Sequence, residues 1–278
     1  MSRVFQERLK VIACTKLSES YFRITFASRR IPAHALGGQF VQVKVSDSAQ
    51  PLLRRPFGVH RVGKNTFDCL CEIVGEATRI LSEKKPGDFV DVIGPLGNGF
   101  DYGPRTKDQG PRILVAGGMG VAPLFFLAEK IAERRTPNAE RKIIVFIGAK
   151  SKKDLLCEKD FKQLGCEVKV ATDDGSKGLR GRVTDLLEQY LRRTPNAERR
   201  SRIYACGPKP MLKQVSLLSK HYNLPAQISL EEHMACGIGA CLGCVVKVRA
   251  QNASRRTPFA YKRVCKDGPV FSASEIIW

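Results

Sequence analysis

The sequence predicts an antiparallel β-barrel over residues 1–103, a parallel-sheet α/β domain over 111–225 and a small cysteine-bearing module over 226–278. Three observations carry this division. The first stretch breaks into short alternating or β-branched runs punctuated by Gly, Pro and Asn, the pattern of a barrel. Beyond a polar, proline-bounded linker at 104–111 the rhythm changes to strand and helix in alternation, the pattern of a parallel sheet covered by helices. The C-terminal stretch then carries Cys236, Cys241, Cys244 and Cys265 in C-x4-C-x2-C-x20-C spacing. A chain of 278 residues, 43% hydrophobic, is long enough to bury two cores.

In the barrel, strands are expected over 4–14, 21–27, 40–45, 58–62, 67–74 and 89–93, with one short helix at 77–83. In the α/β domain, apolar runs at 113–116, 143–147, 167–171 and 202–205 read as strands. Between and after them, 122–134, 154–164, 183–191 and 209–222 read as helices. An eight-residue segment, Arg-Arg-Thr-Pro-Asn-Ala-Glu-Arg, occurs at 134–141 and again at 192–199, with a fragment at 255–258. The copies are too irregular for a solenoid. Pro137 and Pro195 would stop a helix, so the segments read as surface insertions or expanded loops.

The formal net charge is +20. The Lys and Arg residues are scattered and form no recognisable nucleic-acid module, so nucleic acid is not an expected partner. Anionic cofactors or an acidic partner fit the charge better. No run approaches the length of a membrane span, and the first residues show no apolar signal-peptide core. Ten cysteines, four of them needed as thiolates, fit a reducing cytoplasm.

The cysteine spacing is the ligand pattern of a plant-type [2Fe–2S] cluster. Each iron takes two thiolates, and one loop must wrap the cluster to supply three of the four. Gly237, Gly239 and Gly243 between the ligands permit tight turns and leave backbone N–H groups to face sulfur. Disulfides and zinc compete for such cysteines, but zinc usually takes two separated C-x2-C pairs, and here one pair stands with two singles. Cys14, Cys69, Cys71, Cys157, Cys166 and Cys206 lack metal spacing, and most are expected as small core residues.

The strand at 113–116 runs into Gly117, Gly118, Met119 and Gly120 and then a helix, which lets a pyrophosphate approach the backbone at the helix N-terminus. A tight packing turn is the alternative. The strand at 202–205 ends in Cys206, Gly207 and Pro208. Ligands of open α/β sheets bind outside the carboxyl ends of strands, so these residues face the crevice of the glycine loop and look like a wall of a nicotinamide site. In the barrel, Arg55, Pro56, Phe57 and Gly58 place a cation and an aromatic at a strand entrance, which suits a flavin. A short helix opening at Gly75 to Thr78 offers another anion-binding end. In isolation, an ordinary barrel edge with a solvated arginine is the simpler reading of this last set.

The order of the three units resembles the ferredoxin–NADP reductase superfamily carrying a C-terminal [2Fe–2S] module. Segments 55–57, 94–100, 115–123, 171–176, 204–208, 229–244 and 261–271 narrow the resemblance to the electron-transfer subunits of class B dihydroorotate dehydrogenase, across nearly the whole chain. The resemblance implies FAD in the barrel, with Arg55, Pro56 and Phe57 on the flavin and its phosphate. Leu70, Cys71 and Glu72 would line that site, with Ala77 and Thr78 beside the pyrophosphate. It implies NAD in the α/β domain, and a cluster held by Cys236, Cys241, Cys244 and Cys265. The implied partner is an FMN-containing catalytic subunit that oxidises dihydroorotate in pyrimidine (UMP) biosynthesis, in a heterotetramer of two plus two.

Nicotinamide exchanges two electrons and the cluster one, so a flavin must stand between them. No catalytic acid or base is expected on this chain; the base for dihydroorotate lies on the partner. Two positions depart from the family: Gly58 stands where Ser or Thr is common, and Ala77 where Gly is usual. Lys150, Lys152 and Lys153, after the second α/β strand, leave a 2′-phosphate, and so NADP, open. The alternative enzyme is the NAD(P)-binding subunit of a ferredoxin–NADP oxidoreductase complex. A non-catalytic cluster-carrying interaction protein is a different class, which flavin absorbance would separate from both.

Overall fold

A computed structural model describes residues 3–103, 110–134, 142–193, 201–250 and 258–278. Most of the expected surface insertions and most of the expected linker lie outside the described residues. The first unit is a closed antiparallel barrel of β1 (Phe5–Lys16), β2 (Tyr21–Ala27), β3 (Phe40–Lys44), β4 (Arg55–Val62), β5 (Thr66–Glu72) and β6 (Phe89–Leu96), in the order β1-β2-β5-β4-β3-β6. Alternation fills its interior: Val11, Ile24, Phe26, Val41, Val43, Val59 and Phe67 are fully buried. Helix α1 (Arg30–His34) was not expected; its five residues are too short to show a helical period. Ser28 opens it, its Oγ accepting from the Ile31 N–H at 3.1 Å. Strand β4 starts earlier than expected, with Arg55 opposite Val43 and Pro56 opposite Gln42, so both lie on the ladder. Helix α2 (Glu76–Ser82) follows β5.

The second unit is built on β7 (Arg112–Gly117), α3 (Val121–Ala132), β8 (Ile143–Ala149), α4 (Glu158–Gln163), β9 (Glu167–Thr172), β10 (Leu179–Arg180), α5 (Val183–Arg193), β11 (Arg202–Cys206), α6 (Lys209–His221) and β12 (Ala226–Ser229). The C-terminal stretch adds β13 (Val245–Arg249), β14 (Phe259–Arg263), α7 (Val264–Asp267) and β15 (Val270–Ser272). The sheet order is β10-β9-β8-β7-β11-β12-β15, with β15 antiparallel to β12 and the other pairings parallel. The sheet therefore continues past residue 225 and takes in a strand from either side of the cysteines. The helix expected at 154–164 is shorter: a tight turn spans Lys152–Asp154, and Cys157, at φ +60°, precedes α4.

Every residue of β7 is buried, as expected for a parallel strand covered on both faces. Helix α3 is apolar nearly all round because it is covered on both sides. Phe126 joins the barrel core, while Leu124, Phe125 and Leu127 pack on the sheet. His60 and Arg61 of β4 fasten the same joint. The His60 ring nitrogen lies 3.2 Å from the Ala122 carbonyl, and Arg61 pairs with Asp160 at 2.6 Å while covering the Phe125 ring.

Candidate functional site

The chain runs outward from β7 through β8, β9 and β10, then returns to β11 on the other side of β7. That reversal is a topological switch point, where the loops leaving two neighbouring strands part and open a crevice. The loops that part here are Gly117–Gly120 after β7 and Cys206–Pro208 after β11, and Ala116 lies opposite Cys206 in the ladder. Gly120 must be glycine because any side-chain carbon would collide with the Cys206 carbonyl. Gly118, at φ +52°, faces open space.

Two adjoining clefts occupy the crevice. One, about 660 Å³, is lined from the barrel by Arg55, Pro56, Phe57, Gly58, Leu70, Cys71, Glu72 and Thr78, and from the sheet by Cys206, Gly207 and Pro208. The other, about 810 Å³, is lined by Gly117, Gly118, Gly120, Gly207 and Pro208 together with Lys150, Asp154, Asp173 and Arg182. Glu72, Met119, Gly207, Pro208 and Glu231 border both. Ala77 lines neither; it is buried in the barrel core. Lys152 and Lys153 are exposed and line neither cleft.

The two neighbouring arginines at the mouth of the first cleft differ in their partners. Arg54 is held by the Asp91 carboxylate at 2.6 Å and its carbonyl at 2.9 Å. Arg55 donates only to the carbonyls of Leu53 at 2.6 Å and Arg54 at 3.4 Å, and among the described residues no carboxylate neutralises it. That leaves its charge available to an anion such as a flavin phosphate. The Thr78 hydroxyl closes the start of α2, accepting from the N–H groups of Val74 and Gly75 and donating to the Gly75 carbonyl. At Gly58 a side-chain carbon would meet Pro123 at 3.6 Å, an ordinary contact, so the site has room for a hydroxyl-bearing residue.

Sequence reasoning missed several lining residues. Glu231 and Met234 fall in the 229–244 segment that carried the family resemblance, but nothing in their spacing marked them as cleft residues. Ser20 and Tyr21 bring the barrel into the second cleft, a contact between units that no local pattern encodes. Enclosure by protein raises the Glu231 carboxyl above its ordinary range, and nearby Glu72 adds to it. Burial also pushes the Cys206 thiol well up, with Glu231 contributing, so Cys206 is a neutral wall.

The four spaced cysteines meet beside the barrel. Cys236 and Cys241 thiols are in hydrogen-bonding reach of each other, as are those of Cys244 and Cys265. Backbone N–H groups of Ala240 and Cys241 point at the Cys236 sulfur at 3.3 and 3.4 Å, and that of Cys265 at the Cys244 sulfur at 3.4 Å. Burial works against ionisation of Cys236, yet donation from Cys241, Ile238 and Ala240 outweighs it and brings the thiol down to about 6. Burial, with Cys244 alongside, pushes Cys265 up to about 12. Among the described residues no three His, Cys, Asp or Glu side chains surround a single-ion point. Two pairs of thiols suit a two-iron cluster, which divides four thiolates between its irons, and the N–H groups aimed at sulfur fit it too. Arg263 braces the loop, donating to the Gly239 carbonyl at 2.9 Å while clasping Asp267 at 3.0 and 3.3 Å.

A family model described as the iron–sulfur cluster binding domain of dihydroorotate dehydrogenase B matches residues 231–277. Another, an oxidoreductase NAD-binding domain, matches 114–216. The dihydroorotate dehydrogenase B (NAD+) electron transfer subunit of Desulforamulus reducens is 38% identical over 100% of both chains. The chain belongs to the dihydroorotate dehydrogenase B electron transfer subunit family. The Geobacillus kaustophilus subunit of that family is 40% identical over 98% of each chain. Among solved structures, an NADH-dependent reduced ferredoxin–NADP oxidoreductase superposes with TM-score 0.81 and 30% identity, covering 98% of this chain and 90% of that one. A ferredoxin–NADP+ reductase from Neisseria gonorrhoeae, at 16% identity and TM-score 0.63 over 78% of this chain and 91% of its own, shows the shared fold. Among the described residues no helix is long and apolar enough to cross a membrane.

Proposed function

We propose that this chain is an NAD-linked oxidoreductase subunit that carries electrons between NAD and an FMN-containing partner subunit, which oxidises dihydroorotate in pyrimidine synthesis. The observation that carries this reading is the common wall of the two clefts, with Met234 lining the flavin cleft two residues before Cys236. Dinucleotide, flavin and cysteine loop thus adjoin in series.

In this reading residues 1–103 hold FAD, 111–225 hold NAD, and 226–278 hold the cluster while contributing two strands to the sheet. Arg55 meets flavin phosphate charge, Pro56 and Phe57 lie against the ring with Gly58, and Leu70, Cys71 and Glu72 complete the wall. Thr78 stands in the short helix beside the pyrophosphate, with Ala77 packed behind it in the barrel core. Gly117, Gly118 and Gly120 admit the dinucleotide phosphates, and Cys206, Gly207 and Pro208 back the nicotinamide. Asp154 and Asp173 beside Lys150 disfavour a 2′-phosphate and so favour NAD. A flavin in the first cleft supplies the exchange between a hydride donor and a one-electron carrier. The chain's own side chains bind, orient and exclude water; none acts as acid or base. The assembly is a heterotetramer of two such chains with two partners, in the cytoplasm, where the four thiols stay reduced.

The test is the visible spectrum of anaerobically purified protein, followed by dihydroorotate-dependent NAD reduction after mixing with the partner. Flavin and cluster bands that bleach with NADH, and turnover only in the mixture, are the expected result. Missing flavin absorbance would point to a cluster-carrying interaction protein. The solved-structure match at TM-score 0.81 supports one second reading, a subunit of a ferredoxin–NADP oxidoreductase. Turnover with ferredoxin in place of the dihydroorotate-oxidising partner would favour it.

A further inference from the structure

Gln42 lies on β3 between Val41 and Val43, both turned into the barrel. Strand alternation sends Gln42 outward, to the side where the cysteine-bearing stretch packs. Its side chain is 0% exposed. The amide nitrogen donates to the Met234 sulfur at 3.9 Å, a weak acceptor, and the amide oxygen has no partner among the described residues. A polar group buried so completely ordinarily has its hydrogen bonds made. The orphaned oxygen calls for a donor and is nothing a sulfur could satisfy, but the nitrogen carries a second N–H that has no acceptor among the described residues.

Gly237, the residue after Cys236, is pressed onto that carboxamide. Its φ is +70°, and a side-chain carbon there would overlap the Gln42 nitrogen and stand 2.5 and 2.6 Å from Cγ and Cδ. The nitrogen is therefore the end turned to the loop. Thiolate or sulfide on that side is an acceptor that an N–H can satisfy.

We propose that Gln42 is a positioning residue for the cluster. Its carboxamide N–H is donated to the sulfur shell of the [2Fe–2S] group held by Cys236, Cys241, Cys244 and Cys265. This rests on the reading that those cysteines hold such a cluster. Hydrogen bonds to cluster sulfur help set its reduction potential, and a donor stabilises the more negative, reduced form. Gln42 also lies opposite Pro56, which lines the flavin cleft, so the same pair of strands touches both redox sites.

The test uses the full chain loaded with flavin and cluster, as wild type, Gln42→Met and Gln42→Leu. Both variants keep most of the volume and carry no donor. In a redox titration followed by electron paramagnetic resonance, the cluster midpoint is expected to fall in both variants, while the flavin midpoint holds. Wild-type protein with isotope-labelled glutamine side-chain nitrogen supplies a second readout, a nitrogen coupling to the reduced cluster in pulsed spectra. Unchanged midpoints in both variants, or no such coupling in the wild type, overturn the proposal. Should both variants lose iron, the wild-type coupling decides alone. Wild-type protein with no iron and no cluster signal overturns instead the reading on which the proposal rests.

Discussion

At the scale of single residues, the glycine loop holds two kinds of glycine. Gly120 serves the fold: a methyl would meet the Cys206 carbonyl, so Gly120→Ala should destabilise the chain by about 1–3 kcal/mol, read as a lower unfolding midpoint. Gly118 faces open space, and a branched side chain there would fill room that the dinucleotide phosphates need. Gly118→Val should slow flavin reduction by NADH at least about tenfold, or ~1.4 kcal/mol of activation free energy, while dithionite still reduces both centres. Normal stopped-flow reduction by NADH would refute that placement. For the cluster, Cys241→Ser should lower iron and sulfide content and leave bound flavin unchanged, because the closed barrel has its own core. Unchanged iron in single Ser variants of all four cysteines would sink the ligand assignment.

At the scale of elements, the joint between β4 and α3 has a built-in pH dependence. Burial lowers His60 to about 4, with Arg61 and Arg23 acting in the same direction and the Ala122 carbonyl and Asp160 opposing. The ring is neutral in the folded chain, while the unfolded chain takes up a proton below the ordinary 6.5. Stability from this group is therefore complete above pH 6.5 and lost as pH falls towards 4, up to about 3 kcal/mol for the full gap. His60→Gln should flatten the pH profile of urea unfolding between those limits; an unaltered profile would show that His60 does not drive it. The barrel, the alternating domain and the four spaced cysteines were legible because each is written in local periodicity or spacing. The joint was not, since His60 and Ala122 lie far apart in the chain. The late start of α4 turns on the left-handed conformation of Cys157, which its residue type does not announce. The sharing of Glu72 and Glu231 between clefts arises only when barrel and sheet are placed together.

At the scale of the whole molecule, five basic residues follow the Cys244 end of the cysteine loop, Lys247, Arg249, Lys262, Arg263 and Lys266, and two of them are paired. Lys262 pairs with Glu275 at 3.2 Å and Arg263 with Asp267 at 3.0 Å, whereas Lys247 and Arg249 on β13 and Lys266 on α7 are exposed. Reversing those three together should slow electron passage to the partner and weaken its salt dependence, with NADH-to-dye activity intact. Single reversals should each be worth less than about 1 kcal/mol. Unchanged turnover after triple reversal would mean that the partner approaches elsewhere. The cysteine loop itself is gripped from three directions. Strands β12 and β15 anchor the chain before and after it, Gln42 abuts Gly237, and Asn98, just past β6, donates to the Asp267 carbonyl at 3.0 Å. A carrier clamped in this way does not swing between donor and acceptor. Its internal step should be indifferent to the viscosity of the medium, so that glycerol or sucrose slows only the encounter with the partner and leaves the passage from flavin to iron running at its own pace.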